Sequence, residues 1–153
     1  MKISDFLRVD AIESDLGASS KPGVLRELVG LLLRVDPNLD PNIVVDVLDR
    51  REKLQSTGIG QGIAIPHGRT GLVSNVTACF GRSVAGVDFQ SLDGQPTHLF
   101  FTILVPEDAQ GVHLKVLARL SRLLKRNELR QRLMKGEDAA ELFQILVDED
   151  QLL

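Results

Sequence analysis

At 153 residues, with 43% hydrophobic and 25% charged side chains, the chain has the size and balance of one ordinary globular domain with a real core. A net charge of −3 and the absence of Trp and Tyr argue against nucleic acid as a partner, because phosphates call for a basic face and bases stack on aromatic rings. The single cysteine excludes a disulfide framework or a cysteine metal cluster, and no apolar run approaches the roughly 18–20 residues a membrane span needs.

The N-terminal MKISDFLRVDAIESDLG carries acids throughout and no apolar core segment, so it does not read as a signal peptide and a cytoplasmic protein is expected. The first helix is KPGVLRELVGLLLRV. Ser19 or Ser20 can cap it, Pro22 sits in its first turn, and Val24, Leu25, Leu28, Leu31 and Leu32 repeat with helical period. A second helix starts at the cap Asp40 with Pro41 behind it and runs through NIVVDVLDRREKL, with Ile43, Val44, Val47, Leu48 and Leu54 expected to face inward.

Then the period changes. Ile63 to Ile65, Val76 to Phe80 and His98 to Val105 are short, rich in β-branched and aromatic residues, and bounded by Gly, Pro, Asn and Asp. The last is apolar enough for a central strand covered on both faces. Cys79 reads as a small buried hydrophobe, and Asp93-Gly94 as a turn. After Pro106 the helical period returns in VHLKVLARLSRLLK, with Leu114, Leu117, Leu120 and Leu124 on one stripe, and Asn127 and Glu137-Asp138 open two more short helices. Two helices, several strands and three helices predict an α/β layered fold, one domain over residues 1–153.

The segment STGIGQGIAIPHGR, Ser56 to Arg69, stands apart. It is not a Walker A loop, for no lysine follows its glycines, and G-x-G-x-x-G fails because Ile63 takes the third glycine position. A histidine-phosphatase pattern would need arginine directly before the histidine, where Pro66 stands. What remains is a short strand stopped by Pro66, delivering an exposed His67 beside Gly68, with glycine-rich backbone able to form an anion nest. Those features suit a phosphoryl acceptor. No metal-ligand spacing is present among the three histidines.

This segment resembles the phosphorylation site of the enzyme IIA family of the bacterial phosphoenolpyruvate-dependent phosphotransferase system, mannitol/fructose type. DRREKLQSTG before it, and DGQPTHLFFTILVPED and VHLKVLARLSRLL after it, follow in family order and spacing. The resemblance implies a three-layer α/β sandwich, a mixed central sheet flanked by helices. It implies that His67 takes a phosphoryl group from HPr or a paralogue, with neither cofactor nor metal. His113 matches the family's second histidine, placed next to the first and suited to hydrogen-bond the phosphoryl oxygens or fix the tautomer. Arg51 matches an arginine that stabilises phosphoryl charge, the alternative being a surface ion pair with Glu52 or Asp49. Ser56, Thr57, Gly58, Gly60 and Gly68 are supporting residues of the loop and phosphate, and His98 reads as structural.

Within the family the wording of the motif is similar to the nitrogen-regulatory group, which reports phosphorylation state to other proteins. No fused permease is expected. A stand-alone fructose- or mannitol-type transport component passing phosphate to enzyme IIB is the alternative. A binding module that no longer takes phosphate is disfavoured by the intact His67, Arg51 and His113.

Overall fold

A computed structural model of the chain describes residues 1–109 and 111–153. Two short 3-10 turns precede strand β1 (Ile12–Glu13), and helices α1 (Lys21–Val35) and α2 (Pro41–Leu54) follow. Both helices begin as their residues demand. The Ser20 side chain accepts from the Gly23 N–H and Asp40 from those of Asn42 and Ile43, with a proline in each first turn. The strands are β2 (Gly58–Gly60), β3 (Ile63–Ala64), β4 (His67–Thr70), β5 (Thr77–Val87) and β6 (Thr97–Pro106). Helices α3 (Val112–Leu124), α4 (Asn127–Lys135) and α5 (Ala139–Gln151) complete the chain.

The strands form one six-stranded sheet in the order β1-β5-β6-β3-β2, with β4 also paired to β6. Its ladders are mixed: β5 runs antiparallel to β6, whereas β3 and β4 run parallel to it. Side chains of β6 alternate between two cores. Leu99, Phe101, Ile103 and Val105 pack into the α3–α5 layer, while Phe100 and Leu104 pack into the α1–α2 layer. That two-sided burial is why HLFFTILV reads as an unbroken apolar run. The expected three-layer α/β sandwich is the observed architecture.

Some local expectations need correction. Ile43, Leu54 and Leu114 are exposed. The buried stripe of α2 runs through Val44, Leu48 and Glu52 at helical spacing, which turns Ile43 and Leu54 aside. On α3 the stripe is Val116, Leu120, Leu123 and Leu124, and Leu114 lies two residues, about 200°, round the helix from Val116. The strand read as ending at Phe80 continues to Val87, because buried Arg82 and Ser83 are polar residues at interior positions. The Arg82 guanidinium donates to the carbonyls of Ser14, Leu133 and Gly136, so its burial is matched by acceptors.

Gly68 holds the layers at close approach. A Cβ there would lie 2.5 Å from Val47 Cγ1 on α2, and valine has little rotameric freedom in a helix with which to yield. Gly68→Ala is therefore expected to cost about 1–3 kcal/mol by overpacking. Thermal melts should show Val47→Ala restoring part of that loss in the double variant; strictly additive losses would refute the contact.

Candidate functional site

The residues Ile63 to Thr70 form a single strand broken at one point. Ile63 pairs with Leu99 and His67 with Ile103, the same offset on both sides of the break. The interruption falls at Pro66, which has no N–H to give a ladder, although its carbonyl still accepts from the Ile103 N–H at 3.0 Å. The register faces His67 toward the α3–α5 layer and Gly68 toward α2.

His67 is not the exposed ring expected from the sequence; it is only 8% accessible. It meets the outside through a cavity of about 250 Å³ that it lines together with Arg51, Thr57, Ile65, Leu117 and Ser121. Its Nδ1 lies 2.7 Å from the Ile65 carbonyl oxygen. A carbonyl can only accept, so Nδ1 carries the hydrogen and the neutral ring keeps its lone pair on Nε2. Burial lowers the His67 pKa below its ordinary 6.5, and the charges of Arg51 and His113 add to the effect.

His113 reaches the same place from the first turn of α3, entered through Gly111 in the left-handed region at φ 82°. Three residues before Val116, it falls on the face that packs on the sheet. The two imidazole centroids are 5.5 Å apart with planes tilted by 39°. His113 Nε2 is buried and lacks a hydrogen-bond partner among the described residues. The His113 ring as a whole is half-buried at the start of α3. Burial lowers its pKa first, followed by the charges of Arg69 and Arg51.

Both lowered pKa values carry a stability consequence. The neutral rings contribute stability that is complete above about 6.5 and is lost as pH falls through the folded-state values, because the unfolded chain binds those protons more readily. Between about pH 7.5 and 5.5, wild type is expected to lose more thermal stability than the double variant His67→Gln/His113→Gln. Parallel melting curves for the two proteins would contradict the burial of neutral rings.

Arg51, in the last turn of α2, donates through Nη1 to the Gln55 carbonyl at 2.7 Å. Neither acid considered as its surface partner takes it: Asp49 pairs with Lys53 and Glu52 with Lys21, while Arg50 pairs with Asp46. Among the described residues Arg51 forms no ion pair, and its charge acts on both imidazoles.

The glycine loop is a tight β2–β3 hairpin. Gly60, Gln61 and Gly62 have φ values of 99°, 58° and 79°. The Gln61 N–H donates to the Asp93 carboxylate at 3.0 Å, so the anion this turn holds is the chain's own side chain. The Gln95 N–H and, after it, this Gln61 contact keep the Asp93 carboxyl below its ordinary pKa. Ser56 Oγ donates to the Phe89 carbonyl and accepts from the Gly58 N–H, and Thr57 Oγ1 donates to Glu52. These bonds brace the loop at Ser56, Thr57 and Gly58, and Gly60 supplies left-handed backbone to its turn. His98 is half-buried, and its Nδ1 lies 2.9 Å from the Ser83 carbonyl oxygen.

Two further residues belong to the site. Arg69 follows His67 by two positions on β4 and so shares its face; its Nη2 donates to the Glu107 carbonyl. The period-2 rule could have found it. Glu52, one helical turn beyond Leu48, is buried, and its spacing on the apolar stripe was the available signal.

The family model for the phosphoenolpyruvate-dependent sugar phosphotransferase system, EIIA 2, matches residues 5–149. The chain is 41% identical over 150 residues to the fructose-specific EIIABC component of Bacillus subtilis, covering 98% of this chain but 24% of that protein. It is 37% identical to a nitrogen regulatory protein of Bradyrhizobium diazoefficiens, covering 95% of both. Among solved structures, the nitrogen regulatory protein IIA-Ntr of Neisseria meningitidis superimposes with a TM-score of 0.88 at 40% identity, covering 94% of this chain and 98% of that one.

Proposed function

The chain belongs to the EIIA 2 family of the phosphoenolpyruvate-dependent sugar phosphotransferase system, whose members are phosphotransferase-type phosphocarriers, and from that premise we propose that it takes a phosphoryl group on His67 and signals its phosphorylation state to a regulatory protein. The carrying observation is the 2.7 Å contact between His67 Nδ1 and the Ile65 carbonyl, which leaves Nε2 as the nucleophilic nitrogen. Nε2 attacks the phosphorus of a phosphohistidine on an HPr-type donor. The new N–P bond forms as the old one breaks, the donor nitrogen leaves with the electron pair, and Nδ1 keeps its proton throughout. Arg51 offers a planar, permanently charged donor set for the equatorial oxygens. The buried His113 Nε2, unpartnered among the described residues, supports a role at the phosphoryl group as well.

The regulatory reading has specific support. Relatives named as nitrogen regulatory proteins match over nearly their whole length, and their solved counterpart matches the fold at 40% identity. The absence of Trp and Tyr disfavours a sugar-stacking pocket in this chain. A phosphoryl group adds about −1.5 to −2 charge. A protein docked over His67 therefore meets either a neutral ring or a dianion. The 41% identity to the fructose-specific protein favours a second reading, delivery of phosphate to a sugar-specific enzyme IIB.

The test is a pull-down with unmodified and His67-phosphorylated protein, run beside sugar-uptake assays in a deletion strain. The regulatory reading expects a partner that binds one state and uptake that is unchanged. Loss of uptake of one sugar with no state-dependent partner would establish the transport reading instead.

A further inference from the structure

Glu52 is a buried carboxylate near the end of α2, and its contacts join the start of α1 to the chain that leads into the site. Its Oε2 receives Lys21 Nζ at 2.9 Å and the Thr57 N–H at 3.1 Å, while Oε1 receives the Thr57 hydroxyl. Lys21 is the first residue of α1, and its Nζ also sits 4.5 Å from the centre of the Phe89 ring. One carboxylate thus ties the start of α1, the end of α2 and the chain entering the β2–β3 hairpin.

Thr57 passes that restraint on. Its carbonyl accepts from the Ile65 N–H at 3.1 Å, and the Ile65 carbonyl in turn receives His67 Nδ1 at 2.7 Å. In an extended strand the N–H and C=O of one residue point the same way. Those of Ile65 point away from β6, whose own bond here goes to the Pro66 carbonyl. The central sheet therefore does not hold the carbonyl that selects the His67 tautomer from that side. Thr57 holds it, and Glu52 holds Thr57.

We propose that Glu52 is a positioning residue for His67: through Thr57 and the backbone of Ile65 it keeps the imidazole in the Nδ1–H tautomer, with Nε2 free to take the phosphoryl group. The catalytic part of this statement rests on the acceptor reading above; the tautomer part does not. Lys21 completes the device. It offsets the cost of burying the carboxylate, and it offsets a negative charge that would otherwise oppose an arriving dianion.

The experiment compares wild type, Glu52→Gln and Lys21→Met/Glu52→Leu. The double variant removes both charges at once, an exchange that buried ion pairs tolerate in stability, so a folded comparison is kept even where the single variant strains the core. The ring nitrogens of His67 are read by ¹⁵N NMR in the unphosphorylated proteins. Transfer from HPr, charged by enzyme I and phosphoenolpyruvate, is read in rapid-quench kinetics. Wild type should show a protonated Nδ1 and an unprotonated Nε2, whereas both variants should show averaging of the two nitrogens. The transfer rate constant should fall about tenfold with donor affinity unchanged, as expected when orientation rather than docking is lost. Wild-type ring signals and rates within about twofold of wild type in both variants would overturn the proposal. Should wild type itself take no phosphoryl group, the acceptor reading falls, and the nitrogen signals alone decide the role of Glu52.

Discussion

Incubation with phospho-HPr is expected to add about one phosphoryl group to wild type and none to His67→Gln, read by intact-mass spectrometry. Glutamine is the informative replacement because His67 is buried. Alanine would leave a void lined by Ile65 and Leu117, whereas the glutamine amide fills much of that space and can still donate to the Ile65 carbonyl. Retained fold with lost acceptance then isolates the nucleophilic nitrogen. Labelling of the variant at the wild-type level would place the acceptor elsewhere and remove the basis of the proposed function.

The second large effect is expected at Arg51 and His113. Both groups bear on charge that develops during transfer, and neither forms the new bond, so Arg51→Lys and His113→Ala should still accept phosphate, but slowly. Losing one preorganised donor typically lowers a rate by about 10²–10³, or roughly 2.7–4 kcal/mol, and a partly exposed pair should sit at or below that range. Arg51→Lys keeps the charge and loses the fork, so its deficit measures planar donation rather than electrostatics. Their effects should not add in the double variant, because both groups bear on one small site. Rapid-quench rates equal to wild type in both variants would return the two residues to ordinary surface and packing roles.

Much of this was legible in the sequence because it depends on near neighbours. Ser20 and Asp40 cap their helices with bonds that span two or three residues, and Pro66 ends a strand because it lacks an N–H wherever it is placed. The two-sided burial of Phe100 and Phe101 was readable from an apolar run with no polar alternation. Where a polar residue lay on a buried stripe, at Glu52 or Arg82, the pattern pointed the wrong way: side-chain identity announces solvent, and only a partner far along the chain reverses it.

The site divides along the same line. The sequence by itself determined that an imidazole would stand behind a proline at Pro66-His67-Gly68, and its family resemblance implied Arg51 and His113 as companions. Only the tertiary structure decided that His67 is buried, that the Ile65 carbonyl sets its tautomer, that His113 lies 5.5 Å away with its Nε2 unpartnered among the described residues, and that Glu52 braces the loop behind it. The first set follows from bonds and periods within a turn or a strand. The second depends on the register of His67 against Ile103 and on how α2 and α3 pack across the sheet, and those contacts join segments that the sequence keeps far apart.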